Sequence, residues 1–283
     1  MSSDPDYTDA ERLFAARPWI GADAALPEAA RAVPTMLATE ETQLYYWLAR
    51  HWAKGAGVIV DLGSFIGGST ARLAAGQADA GRALPVFAYD NFTASEELKA
   101  KLLYPAGIPP FAGNDILLEA HRLLTPWKPA ITLRQGDILE QGWHGEPIEL
   151  LAIDAAKSAA LTDHIAAEFF PALIPGRSIV IHQDFLHRVQ PWLPAQMTRL
   201  RRYFKPLSRV ARDCVVFLCT EVPSPEALRD ARVSELSDRD LARLVRTAAS
   251  RYSRMAGRYY FASMVRKINA NPEERIAWRM WRN

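Results

Sequence analysis

The stretch Val58-Ile59-Val60-Asp61-Leu62-Gly63-Ser64-Phe65-Ile66-Gly67-Gly68-Ser69-Thr70 decides the fold. It opens with β-branched apolar residues that do not alternate with polar ones, as in a strand covered on both faces. The buried run ends in Asp61, a glycine-rich turn follows, and a helix opens at Ser69. Gly63 can take backbone angles closed to other residues, and its missing side chain lets a ligand approach the main chain. Gly67 and Gly68 do the same at the helix entrance, where free amides favour an anionic group. Position 65 is Phe, so this is not the G-x-G-x-x-G of a dinucleotide site. The plainer alternative is a strand, loop and helix that merely pack tightly.

Four more continuous apolar runs accompany it: Val86-Phe87-Ala88, Leu150-Leu151-Ala152-Ile153, Ser178-Ile179-Val180-Ile181 and Cys214 to Cys219. Segments with helical spacing lie between them, which predicts βαβ units and a mostly parallel sheet. A first helix is expected from Thr39 as N-cap, with Glu40 and Glu41 in its first turn and a stripe of Leu44, Trp47, Leu48 and Trp52. Lys54-Gly55-Ala56-Gly57 stops it. A second helix should run from Ser69 to about Ala78, and a third from near Ser158 to before Pro171 or Pro175. Asn91 to Lys128 is a long insertion rich in proline and aromatics, with a helix expected over Asn114–Leu124; it reads as a decorated loop or a substrate lid.

The chain has 283 residues, is 49% hydrophobic and 23% charged, and carries a formal charge of +2. That excludes disorder and low complexity and argues against a protein built to coat nucleic acid or membrane. Its two cysteines, Cys214 and Cys219, exclude a disulfide scaffold and a cysteine zinc site. On one strand their odd separation puts them on opposite faces, so they should not pair. No apolar run reaches the roughly 20 residues of a membrane span. The polar start MSSDPDYTDAER lacks the pattern of a signal peptide. A soluble cytoplasmic protein is expected.

Acids recur at the predicted strand ends. Asp90 ends the second strand, where a carboxylate can accept hydrogen bonds from both hydroxyls of a ribose. Asp137 follows the third and could accept from an adenine amino group. Asp154 follows the fourth strand, ahead of Lys157, and Gln183-Asp184 follows the fifth. Two carboxylates and an amide converging there can hold a hard divalent cation. His182 and His187, five apart, need not share a face, which disfavours zinc.

In order, these motifs resemble the class I S-adenosylmethionine-dependent methyltransferases over roughly residues 35–222. The nearest look is to metal-dependent small-molecule O-methyltransferases of the catechol O-methyltransferase type and to macrocin O-methyltransferase-like sugar enzymes. The resemblance implies an α/β, doubly wound, Rossmann-like sheet of seven mostly parallel strands. Its last hairpin, around Leu207–Val210 and Cys214–Cys219, adds an antiparallel strand. An N-terminal helical cap and a C-terminal helical extension flank it. It implies that Asp61, Gly63, Ser64, Phe65, Gly67 and Ser69 hold the methionine moiety of S-adenosyl-L-methionine, that Asp90 takes the ribose, and that Asp137 with Ile138 faces the adenine. It places Asp154, Gln183 and Asp184 as ligands of Mg2+ or Mn2+, and Lys157 as general base beside Asp154 and Asp184 in the catalytic set. Gln183 departs from the usual acid and removes one negative charge from the metal site.

The implied activity is methyl transfer to a hydroxyl of a small acceptor, a sugar or natural-product intermediate. Alternatives are a nicotinamide oxidoreductase, a non-catalytic methyltransferase-like binding protein, and a nucleic-acid or other N-methyltransferase. The last draws on a C-terminal region with thirteen basic and seven acidic residues from Ser224 onward, and with Tyr252, Tyr259, Tyr260, Phe261, Trp278 and Trp281. Packing on the core or on a second subunit of a homo-oligomer explains those aromatics more cheaply. Leu241, Leu244, Val245, Ala248, Tyr252, Met255 and Tyr259 follow one helical stripe, with Arg239, Arg243, Arg246, Arg254 and Arg258 on another face. The expected organisation is an N-terminal segment 1–38, a methyltransferase domain 39–223 with the 91–128 insertion, and a basic helical extension 224–283.

Overall fold

The computed structural model describes residues 8–282, so the first seven residues of the 1–38 segment lie outside the described part. Seven strands form: β1 (Val58–Leu62), β2 (Val86–Asp90), β3 (Ile131–Gln135), β4 (Ile148–Ile153), β5 (Ile179–His182), β6 (Phe204–Val210) and β7 (Cys214–Cys219). They make one mixed, mostly parallel sheet in the order β3-β2-β1-β4-β5-β7-β6, flanked by helices. β1, β4, β5 and β7 are buried at every residue, which is why their sequences run apolar without alternation. β6 is an edge strand with a register shift between Pro206 and Ser208, where a missing amide is tolerated. The chain divides into two compact units, Arg17–Gln141 with Glu149–Leu151, and Met1–Ala16 with Gly142–Ile148 and Ala152–Asn283.

In the first unit β1 pairs parallel with β2, and β2 with β3. The helix expected to be capped by Thr39 is capped by Ala38 instead, and Thr39 is its first residue. The Glu41 carboxylate sets this boundary by accepting the Ala38 amide at 2.7 Å. After Trp47 the helix widens into a π turn, Leu48–Trp52. It stops where Gly55 takes φ +91° and the fully buried Glu149 accepts the amides of Lys54, Gly55 and Ala56 at 2.8–3.0 Å. Orphan donors past the helix end are thereby satisfied by a carboxylate from β4. The second helix spans Gly68–Asp79.

The 91–128 insertion is ordered around a small core of its own, with Phe92, Leu103, Ile108, Ile116 and Ala120 packed together with Ile66. Its two ends pair, Ala94 N–H to Asn114 O and Ile116 N–H to Phe92 O, both at 2.8 Å. That pairing consumes Asn114 and Asp115, so the helix expected over Asn114–Leu124 is shortened to Leu117–Leu123. The Asp115 carboxylate accepts the Leu117 amide at 2.8 Å at its start.

In the second unit the helix Ala159–Phe169 starts where expected, with the Ser158 hydroxyl accepting the Leu161 amide at 3.1 Å. β7 pairs antiparallel with β5 and β6, and Cys214 and Cys219 are both free and buried. The basic C-terminal stripe is broken rather than continuous. Helices span Asp238–Arg251 and Arg258–Ala270, separated at Tyr252–Gly257. Tyr252 is buried against Phe185, Phe217 and Phe261, which anchors the break. Tyr259, expected on the buried stripe, therefore emerges exposed. The five arginines do face solvent. No helix among the described residues is long and apolar enough to cross a membrane.

Candidate functional site

In the first unit the loop after β1 is built by positive backbone angles and by Asp90. Gly63 and Gly67 have φ +96° and +97°, and Phe65 has +52° without being glycine. Gly67 also permits close packing, since a Cβ there would meet Leu124 at 2.7 Å. The Asp90 carboxylate accepts the Phe65 amide at 2.9 Å through one oxygen and the Phe92 amide at 2.7 Å through the other. Phe92 is left-handed too, at φ +50°. One carboxylate thus holds two residues in a conformation that costs an L residue about 1–2 kcal/mol. Burial pushes the Asp90 pKa above the usual carboxylate range, and these two amides oppose that rise.

Asp61 is buried, with Oδ2 accepting the hydroxyls of Ser69 and Thr70, each at 2.6 Å. This clamps the end of β1 to the first turn of the helix. Of the amides expected to be free at the helix entrance, that of Gly67 is taken, and those of the preceding loop are taken too. Gly63 and Ser64 donate to Tyr89 O at 2.8 and 3.2 Å, Phe65 donates to Asp90, and Gly67 donates to Ser64 O at 2.9 Å. The tight turn spends these donors on its own shape. The Ser64 hydroxyl, by contrast, is buried and has no partner. Asp137 caps a short turn by accepting the Leu139 amide at 2.9 Å and is exposed, whereas Ile138 is buried. The neighbouring Gly136 amide donates to Asp90 O at 3.0 Å, which ties this turn to the end of β2.

In the second unit Lys157 joins the two acids. Its ammonium lies 2.6 Å from Asp154 Oδ1 and donates to Asp184 Oδ2 as well. Burial alone would push the Lys157 pKa down, but the two carboxylates outweigh it and hold the amine protonated. For Asp184, burial acts upward and is outweighed by Lys157, by the Gln190 amide and by His187, so its carboxyl stays below the ordinary range. In this arrangement the Lys157 ammonium is a hydrogen-bond donor to both acids. Gln183 is buried, and its backbone N–H donates to Ile153 O at 3.0 Å. Among the described residues no three His, Cys, Asp or Glu side chains group as a metal site. The residues present fit a divalent ion poorly, because a cation of the chain already lies within reach of both carboxylates.

Two supports of this cluster went unread in the sequence. Gln190, buried, donates to Asp184 Oδ2 at 2.6 Å. The segment Arg275–Ala277 pairs with the backbone around Lys157: Ala159 donates to Arg275 O and Ala277 to Lys157 O, at 3.0 and 2.9 Å. Neither sits in a motif, and each meets the cluster only through the folded chain.

No family model and no curated protein matches the chain. Among solved structures it is similar to a methyltransferase from Geobacter sulfurreducens, at 15% identity over 73% of this chain and 88% of that one, with TM-score 0.45. It is also similar to the O-methyltransferase from Bacillus cereus in complex with SAH, at 14% identity over 75% and 91%, with TM-score 0.43. A third is an SAH-bound methyltransferase from Podospora anserina, at 14% identity over 75% and 88%, with TM-score 0.44.

The C-terminal aromatics divide. Tyr252 and Phe261 are buried, and Tyr260 accepts a hydrogen bond from Arg209 at 2.5 Å beneath its guanidinium. Packing therefore accounts for these three, while Tyr259 and Trp278 are exposed and the Trp281 side chain lies outside the described residues.

Proposed function

We propose that this chain is an S-adenosylmethionine-dependent O-methyltransferase that acts on a hydroxyl of a small acceptor, a sugar or natural-product intermediate. The observation that carries the reading is the hydrogen bond from the Phe65 amide to Asp90. It gathers the acid at the end of β2 and the glycine loop after β1, the two motifs that the resemblance assigns to the ribose and the methionine moiety.

The residues fit that cofactor. The Ser64 hydroxyl is buried and lacks a partner, so it has a hydrogen bond to give. Each Asp90 oxygen has taken one amide and keeps capacity for a ribose hydroxyl. Asp137 and Ile138 would face the adenine. Asp61 and Ser69 act from behind, fixing the loop that Gly63, Phe65 and Gly67 shape. When bound, S-adenosylmethionine supplies a methyl carbon on a positively charged sulfur, which an acceptor oxygen attacks as the C–S bond breaks.

Asp154, Lys157 and Asp184 serve the acceptor in this proposal. The Lys157 ammonium orients the hydroxyl and stabilises the negative charge that develops on its oxygen. The proton of the acceptor hydroxyl passes to the Asp154 and Asp184 carboxylate pair as the oxygen attacks. The 91–128 insertion, packed against Phe65 and Ile66, is proposed as the acceptor lid within the 39–223 domain. The 1–38 segment and the 224–283 extension flank that domain. The test is methyl transfer from labelled S-adenosylmethionine to a panel of hydroxylated acceptors. Product carrying label on oxygen supports the reading, and transfer to nitrogen alone, or tighter binding of NAD(P) than of S-adenosylhomocysteine, contradicts it.

A further inference from the structure

A divalent ion shared by Asp154 and Asp184 would sit between their carboxylates. Lys157 Nζ lies there already, 2.6 Å from Asp154 Oδ1 and hydrogen-bonded to Asp184 Oδ2. A second cation at contact distance from the ammonium would be repelled by it. Gln183, the third residue in line as a ligand, brings no charge to offset that repulsion.

The lysine is held in place from several directions. Its carbonyl accepts the Ala277 amide at 2.9 Å, and the Ala156 carbonyl accepts the Trp192 indole N–H at 3.0 Å. Trp192 is fully buried. On the acid side, Gln190 donates to the same Asp184 oxygen that Lys157 does. Backbone, indole and amide together fix where the ammonium can go.

We infer that Lys157 is a built-in cation: its ammonium takes the place of a divalent metal between Asp154 and Asp184, and the site works without metal. The inference rests on the proposed methyl transfer and deepens it by defining the acceptor. An ammonium has three donors, and two are spent on the carboxylates, so one remains for the acceptor. A hard divalent ion can take two neighbouring acceptor oxygens at once, and a single N–H cannot. The site therefore suits acceptors presenting one isolated hydroxyl and gives no premium to a vicinal diol or catechol.

Mn2+ binding followed by electron paramagnetic resonance tests this on the full chain, with neither cofactor nor acceptor present. The wild type should leave the free Mn2+ signal at its buffer level. Lys157→Ala should bind Mn2+ at least tenfold more tightly, and Lys157→Ala with Asp184→Asn should lose that gain. Circular dichroism checks folding, and Lys157→Gln, which keeps a hydrogen-bonding head without charge, serves if the alanine variant does not fold. Wild-type Mn2+ binding that Asp184→Asn abolishes would overturn the inference, as would the absence of any gain in the folded Lys157 variant. Titration of S-adenosylhomocysteine into the same samples tests the methyltransferase reading separately.

Discussion

Asp90 accepts the amide of Phe65 at 2.9 Å, joining the end of β2 to the loop that follows β1. Its other oxygen holds Phe92, and both partners are non-glycine residues at positive φ. Asp90→Ala should therefore lose stability as well as cofactor affinity. A hydrogen bond to a charged group contributes about 1.5–3 kcal/mol, and urea unfolding should report a loss in that range. Asp90→Asn should recover part of the stability, because its amide oxygen still accepts one of the two N–H groups.

Asp61 gives a second, independent test. It receives two hydroxyls on one oxygen, so Ser69→Ala and Thr70→Val remove bonds that share an acceptor. Each single change should cost about 0.5–2 kcal/mol, and the double change should differ from their sum. Additivity in a double-mutant cycle would mean the two hydroxyls do not act on Asp61 together.

His182 predicts a pH dependence. It is fully buried beside Phe185 and Phe217, and neither ring nitrogen has a partner. Burial pushes its pKa down to about 3. The unfolded chain, with an ordinary histidine near 6.5, binds the proton first, so stability is full above that value and falls as pH drops toward 3. From pH 7 to pH 5 this one group should cost about 2 kcal/mol. Urea unfolding of His182→Phe should lack that component, and an identical pH profile would contradict the assignment.

Gln190 should behave as a positioning residue. Its amide donates to Asp184 at 2.6 Å from a buried site. Gln190→Leu should reduce turnover about tenfold, as expected for roughly 1.4 kcal/mol of lost orientation, with S-adenosylhomocysteine affinity unchanged. A parallel loss of cofactor affinity would point to a folding effect instead.

Lys99 pins the insertion. Its ammonium donates to Phe111 O and Gly113 O at 2.7 and 2.9 Å, pairs with Glu96 at 2.7 Å and lies over the Phe111 ring. Lys99→Met should make the 104–114 stretch a preferred site of limited proteolysis while the rest of the chain resists. Unchanged digestion would show that the small apolar core suffices.

Strands buried on both faces announce themselves by uninterrupted apolar runs, so β1, β4, β5 and β7 were legible as strands, β7 from end to end and the others to within two residues. Glu149 was not, because its partners are amides 93 to 95 residues away on a helix end. The 3.6-residue period over Leu241–Tyr259 ran on through the break at Tyr252, since periodicity carries no information about a chain reversal. Asp154, Lys157 and Asp184 were legible as candidates. That the lysine would lie between the acids depends on how β4 and β5 end. The spent amides of Gly63 and Ser64 were hidden for the same reason, as their acceptor, Tyr89 O, belongs to another strand.

Calorimetric titration of S-adenosylhomocysteine into the wild type and Asp90→Ala measures whether the Asp90 carboxylate and the loop after β1 hold the cofactor. The wild type should bind at one site per chain, and the folded variant should bind at least tenfold more weakly. No binding to the wild type, or equal affinity in both, would contradict it.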